Sequence, residues 1–264
     1  MSTKLIDREA IMKEFDRLIR PCTINRRRLI EAAHSPLFLQ QLHIAIIALN
    51  EGTEVSDFLS AYGVLVESGV ADVTVVADRT DPIRLYPSIR AAPQATTAQF
   101  DASRPEGADY VVVPRDDPHN DPAIIAWIKA QHRKAARIVS ICNGSLTLAS
   151  AGLLDERRAT GHWYYIKRLQ AKHPTKEWVR DRRYVVDRGV ATSTSITASI
   201  PLMMALVEAI GGRAEAEKLS MRLGCGQLGC SPQYLGFPAH RRAPEDLRSQ
   251  QVDLLAARCH WHQG

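Results

Sequence analysis

The chain contains no unbroken apolar stretch near the ~20 residues that a membrane-spanning helix needs, so a membrane location is not expected. It also lacks the apolar core of a secretory signal, because its opening MSTKLIDREAIMKEFDRLIR alternates charge with hydrophobe. The five cysteines, at 22, 142, 225, 230 and 259, are odd in number and have no disulfide-like spacing. They read as reduced thiols, and the cytoplasm is the expected compartment. No segment repeats and none is of low complexity, which excludes solenoids and linker-rich architectures. A strong charge of one sign is missing as well: the net +5 is scattered, apart from NRRR at 25–28 and HRR at 240–242. Such short runs are normally a solvated face, so no nucleic-acid partner is expected. What remains, 45% apolar and 24% charged over 264 residues, is the composition of a soluble globular chain with room for one large α/β domain.

Hydrophobic periodicity gives the organisation. Residues 6–19 place Ile6, Ile11, Met12, Phe15, Leu18 and Ile19 on one helical face, so 1–40 reads as a helical extension packed on the main domain or on a partner subunit. At residue 43 the pattern changes to continuous apolar runs: HIAIIAL (43–49), ADVTVVA (71–77), ADYVVVP (108–114) and ARIVSIC (136–142). These runs suit parallel strands covered on both faces. Helical stretches lie between them. One carries Phe58, Leu59, Tyr62, Leu65 and Val66 and ends near Gly69; another opens at Asn120 or Asp121 with Pro122 in its first turn. The region 80–107 is less regular. RYVVDRGVATS (183–193) reads as a hairpin, SIPLMMALVEAIGG as a helix with Pro201 near its start, and RAEAEKLSMRLG and PEDLRSQQVDLLAARC as two further helices. The prediction is an α/β fold over 41–212, a doubly wound, mostly parallel sheet of flavodoxin-like type with helices on both faces. A helical tail, 213–264, packs on it. Chemistry in such sheets gathers beyond the carboxyl ends of the strands, here the turns after 49, 114 and 141.

Cys142 sits in the last of these turns, between a strand and a helix, and Asn143-Gly144 follows it. A strand-to-helix elbow pushes its central side chain into the cleft. The helix terminus lowers a thiol's pKa, and the Asn143 N–H is placed to donate to an oxyanion. A buried structural thiol fits the same stretch equally well. Twenty residues on, RATGHWYY offers His162 as a base or proton shuttle, flanked by Trp163, where a packed histidine is the alternative. Beyond the first strand, NEGTEVSDF places Glu54 and Asp57 three apart, on roughly one helical face. They either serve the cleft or form a solvated acidic first turn. Desolvation beside a thiol raises a carboxyl pKa, so Asp57 is expected to carry a proton.

These residues, with ADYVVVP, AGLLDERRATGHW and ATSTSITASIPLMMALVEAIGG, resemble the DJ/PfpI superfamily, of class I glutamine amidotransferase-like fold, over about 43–212. Within it the chain is most similar to the amidase-like domains of AraC-type regulators. The resemblance implies Cys142 as elbow nucleophile, Asp57 as the acid against it, His162 as the following histidine and Asn143 as an oxyanion donor. It also implies a homodimer. The chain departs from the pattern at Arg115-Asp116-Asp117, where relatives carry Gly-Gly, and at Pro201, where many carry aspartate; Asp187 is a weak substitute for that acid. Arg115 and Asp116 then form a polar, charged mouth that takes the place of the glycine turn, with Trp163 and the 80–107 loop setting the ligand.

Two functions follow as expectations. One is a cysteine-dependent hydrolase or hydratase acting on a small polar molecule. The other is a non-catalytic small-ligand or redox sensor of the same fold. Neither needs a cofactor, and no metal is expected. Cys225, Cys230, Cys259, His260 and His262 are zinc-ligand types, but the last three lie too far along the chain from the first pair to form a recognisable motif. The tail is also too short for the paired helix-turn-helix units of an AraC module.

Overall fold

The computed structural model describes residues 42–116, 121–174 and 176–225. The predicted helices at 6–19 and in PEDLRSQQVDLLAARC, and Cys22, Cys230, Cys259, His260 and His262, lie outside the described residues.

Strand β1 (His43–Ile47) leads through β2 (Thr53–Glu54) into helix α1 (Val55–Ser68) and back to β3 (Asp72–Ala77). The irregular region is more structured than its sequence suggests, with β4 (Ile83–Tyr86), β5 (Ile89–Ala91), β6 (Ala95–Thr96) and α2 (Thr97–Ser103). Its short strands fall below the length at which periodicity is legible: β4 and β5 join β2 in a separate small sheet. Then follow β7 (Tyr110–Val113), α3 (Pro122–Arg133), β8 (Arg137–Ser140), α4 (Gly144–Ser150), β9 (Arg158–Ala159), α5 (Ile166–Lys172) and β10 (Glu177–Trp178). The hairpin is β11 (Tyr184–Asp187) and β12 (Val190–Ser193), and α6 (Ile196–Gly211) and α7 (Arg213–Arg222) complete the series.

The main sheet has seven strands in the order β11-β12-β8-β7-β1-β3-β6, with β11–β12 its one antiparallel pair. The two faces of β1 show why its run is apolar throughout. Ile44 and Ile46 pack with Phe58, Leu65 and Val207 under α1 and α6, while Ala45 and Ile47 pack with Phe100, Ile128 and Leu148 under α2, α3 and α4. Each fully buried isoleucine contributes about 1.5–3 kcal/mol. Chain order reverses between β1 and β7, so the cleft opens at their carboxyl ends.

Two details correct the sequence reading. Leu59 and Val66 of α1 are exposed, and Ala61 and Val64 are buried in their place. The helix with Pro201 begins at Ile196, three residues before the predicted start at Ser199, so the proline lies in its second turn. Asp121 caps α3 through hydrogen bonds from the N–H groups of Ala123 (2.9 Å) and Ile124 (3.0 Å). Gly69, at φ 64°, closes α1 in the left-handed conformation that glycine adopts without strain. No helix among the described residues is long and apolar enough to cross a membrane.

Candidate active site

The elbow forms where β8 ends and α4 begins. Cys142 has φ 56°, a left-handed backbone that costs a residue with a side chain about 1–3 kcal/mol. Its neighbours hold it there. Ile141 N–H donates to the Val113 carbonyl (2.9 Å), Gly144 N–H to the Ile141 carbonyl (2.8 Å), and Ser145 Oγ to the Cys142 carbonyl (3.1 Å). Gly144 is required for a reason the sequence does not show: a Cβ there would lie 2.2 Å from the Val113 carbonyl oxygen and 2.8 Å from that of Pro114. The elbow is pressed against the backbone of the neighbouring strand.

Cys142 is 6% exposed and Asp57 1% exposed. They hydrogen-bond each other, and the Asn143 N–H points at the sulfur while the Arg115 N–H points at the carboxyl. Burial, reinforced by the negative charge of Glu54, raises Asp57 from 3.8 to about 7. This accords with the expected proton on Asp57. The thiol departs from expectation. Burial and the adjacent Asp57 push it well above its ordinary range, and the Asn143 N–H and the Arg115 charge only partly offset this. A helix terminus lowers a thiol's pKa when water can still reach the sulfur; here desolvation beside a carboxyl is the larger effect.

Glu54 is the N-cap of α1. Its carboxylate accepts from Asp57 N–H (2.7 Å) and from Ser56 Oγ (2.6 Å), so its first task is structural, and it reaches the chemistry through its charge on Asp57. Arg115 is central: its charge acts on Cys142, Asp57 and His162 alike. Asp116 does not form part of an open polar mouth. It is 2% exposed and turned inward, accepting at Oδ1 from Thr53 Oγ1 (2.7 Å), with its pKa raised to about 8 by burial.

His162 reaches the carboxyl end of the sheet because Thr160 N–H donates to Thr192 Oγ1 (2.7 Å) and Gly161 packs against Ser145, leaving no room for a Cβ. Burial and Arg115 lower its pKa, so the ring is neutral. Nδ1 accepts from Tyr164 N–H (3.3 Å), which puts the ring proton on Nε2 and makes this nitrogen a donor. In this tautomer the ring offers a donor at Nε2, which fits the assisting or positioning role. Trp163, 57% exposed, stacks on the His162 ring. Asp187 lies at the turn of the β11–β12 hairpin, at the level where β12 pairs with the start of β8, so it is at the opposite end of the sheet from Cys142. It accepts from Arg158 N–H (2.8 Å) and does not replace the missing acid. Ser145, one of the small residues after the cysteine that let the backbone turn, lies under the elbow, and Thr53 joins the site unannounced; its polar side chain in the EGTEVSD turn is the one available signal. Among the described residues no group of three His, Cys, Asp or Glu side chains can hold a metal ion.

The two raised carboxyls make stability depend on pH. Below about 4 both the folded and unfolded chains hold these protons, and the groups contribute nothing. As pH rises toward 7 and 8 the unfolded chain releases them near 3.8 while the folded chain keeps them. Unfolding is therefore favoured increasingly through that window. Urea denaturation should show a loss of about 3 kcal/mol or more between pH 5 and pH 8, largely abolished in an Asp57→Asn, Asp116→Asn double variant. An equal pH dependence in that variant would place the titrating groups elsewhere.

Comparison with known proteins follows the same geometry. The model of the DJ-1/PfpI family matches residues 43–209. An isonitrile hydratase of Pseudomonas putida is 33% identical over 150 residues, 52% of this chain and 64% of that one. The HTH-type transcriptional regulator CdhR of Pseudomonas aeruginosa is 36% identical over 107 residues, 40% of this chain and 32% of the regulator. The match thus spans less than two thirds of either relative. Drosophila melanogaster DJ-1beta shares the fold with a TM-score of 0.61 at 19% identity, over 69% of this chain and 97% of that one. An AraC family transcriptional regulator from Pseudomonas putida does so with a TM-score of 0.60 at 20% identity, over 69% and 99%. The family model covers the α/β core, and this chain belongs to the DJ-1/PfpI family.

Proposed function

We propose that the chain is a cysteine-dependent enzyme, a hydrolase or hydratase acting on a small polar molecule. The observation that carries this is the Asp57 carboxyl, poised near neutrality and hydrogen-bonded to the thiol of a strained elbow. A general base works best with a pKa near the working pH. Ionised Asp57 takes the Sγ proton as sulfur bonds to an electrophilic carbon. The electron pair displaced from the carbon–heteroatom π bond moves onto the heteroatom, beside the Asn143 N–H and the Arg115 guanidinium. In a hydration the heteroatom takes the proton held by Asp57; in an amide hydrolysis its electron pair re-forms the carbonyl as the amine leaves with that proton. Water then adds to the carbon while Asp57 accepts a water proton, the C–S bond breaks, and that proton returns to the sulfur. His162, neutral and donating from Nε2, orients the substrate together with Trp163. The similarity to an isonitrile hydratase supports this class. A homodimer in the cytoplasm is part of the proposal.

One reading competes on specific grounds. The Arg115 N–H is committed to Asp57, leaving Asn143 as the N–H donor at the sulfur, and the thiol is protonated at rest. Both features, and the regulators among the relatives, suit a ligand or redox sensor. In that reading a nucleic-acid partner enters, by analogy with the HTH-type transcriptional regulators among the relatives. A turnover screen over small amides, nitriles, isonitriles and aldehydes decides between the two. The enzyme reading expects a substrate whose turnover falls at least about 10³-fold in folded Cys142→Ser. Ligand-induced thermal shifts with no turnover would favour the sensor.

A further inference from the structure

The mechanism leaves one buried acid unused. Asp116 joins the two turns that build the cleft. Thr53 and Asp116 form an isolated antiparallel bridge. Thr53 Oγ1 donates to Asp116 Oδ1 (2.7 Å) and accepts from Leu49 N–H (2.9 Å), and Glu54 N–H donates to the Arg115 carbonyl (2.8 Å). These links fasten the turn carrying Arg115 to the turn that caps α1 and presents Asp57. Asp116 Oδ2, fully buried, has no hydrogen-bond partner among the described residues. The charged groups facing this carboxyl are Asp57 from α1 and Asp121 from the cap of α3, both acidic, and Arg115 precedes it in the chain. An amide or hydroxyl would suffice if the clasp were the whole purpose.

We propose that Asp116 is a positioning residue for Asp57: it clasps the Arg115 turn to the start of α1 and titrates together with Asp57 as one buried carboxyl pair. The proposal rests on the reading of Cys142 and Asp57 as a reactive pair. Two acids sharing a poorly solvated pocket lose their protons in two steps that belong to the pair. Burial raises both carboxyls above their ordinary range, Asp57 to about 7 and Asp116 to about 8, so the lower step is assigned to Asp57. In the lower step Asp57 becomes the base for the thiol. In the upper step the pocket gains a second negative charge, which opposes anions approaching Cys142.

Two alkylating reagents that differ in charge read this out without any substrate. Cys142 is labelled with iodoacetamide and with iodoacetate from pH 5.5 to 9.5 and quantified by mass spectrometry site by site. The ratio of iodoacetate to iodoacetamide rates should fall in two steps in the wild type. Each step is about threefold or more, the effect of one unit charge several ångströms away even in water. Asp116→Asn keeps an oxygen for Thr53 to donate to, and should keep the lower step and lose the upper one. A ratio in Asp116→Asn that still falls twice overturns the proposal. The underlying reading fails separately, if Asp57→Asn leaves the iodoacetamide profile of Cys142 unchanged. Should Asp116→Asn not fold, ¹³C-carboxyl NMR of aspartate-labelled wild type takes its place. Two aspartates titrating above pH 6, one of them lost in Asp57→Asn, support the pair; a single such aspartate overturns it.

Discussion

Gly144→Ala will collapse the elbow. The added Cβ would lie 2.2 Å from the Val113 carbonyl oxygen and 2.8 Å from the Pro114 oxygen. Both are backbone atoms, one ending a central strand of the sheet, so no rotamer change relieves the contact. Either β7 and β8 separate, or the start of α4 moves and takes Cys142 with it. We expect a loss of about 3 kcal/mol in urea denaturation, and loss of whatever turnover Cys142 supports. Gly63→Ala is the control. Gly63 is in α1 and exposed, and its added Cβ meets nothing within 4 Å, so alanine there should gain about 0.5–1 kcal/mol. If the two variants behave alike, the elbow is not under the steric constraint described.

Asp57→Asn will remove the proton acceptor while preserving the shape of the pocket. Asn and Asp differ little in volume, and the neutral amide relieves the cost of a buried carboxylate. The variant should therefore fold and be more stable than wild type at pH 8. Turnover should fall about 10²- to 10⁴-fold, the usual loss on removing a general base. The pH dependence is the sharper sign: the rise of the wild-type rate through about pH 7, where Asp57 ionises, should vanish. A rate within twofold of wild type would remove Asp57 from the mechanism.

The fold was legible because its strands are buried on both faces. Ile44 to Ile47 face two separate cores, so the run carries no alternation and marks a central parallel strand. The small strands β2, β4 and β5, two to four residues each, are too short for a period to declare itself. In the site, Cys142 and Asp57 stood out because elbow and helix-start positions are local properties of the sequence. The state of the thiol was not legible. It depends on Asp57 lying against it across the sheet, a relation between residues 85 positions apart. Asp116 was misread for the same reason: its partner Thr53 is 63 residues away, so an Arg-Asp-Asp run in a loop looked like a polar mouth. The tautomer of His162 is set by the Tyr164 N–H and cannot be read from spacing.

The most direct test of the Cys142–Asp57 pair is the pH dependence of Cys142 alkylation by iodoacetamide in the wild-type protein, resolved from the other four cysteines by mass spectrometry. If Asp57 receives the thiol proton, the Cys142 rate should rise with a midpoint near pH 7, where the carboxyl ionises, below the ~8.5 of an ordinary thiol. A rate that stays low until well above pH 9 would mean an inert buried thiol with no working base beside it, and would contradict the account.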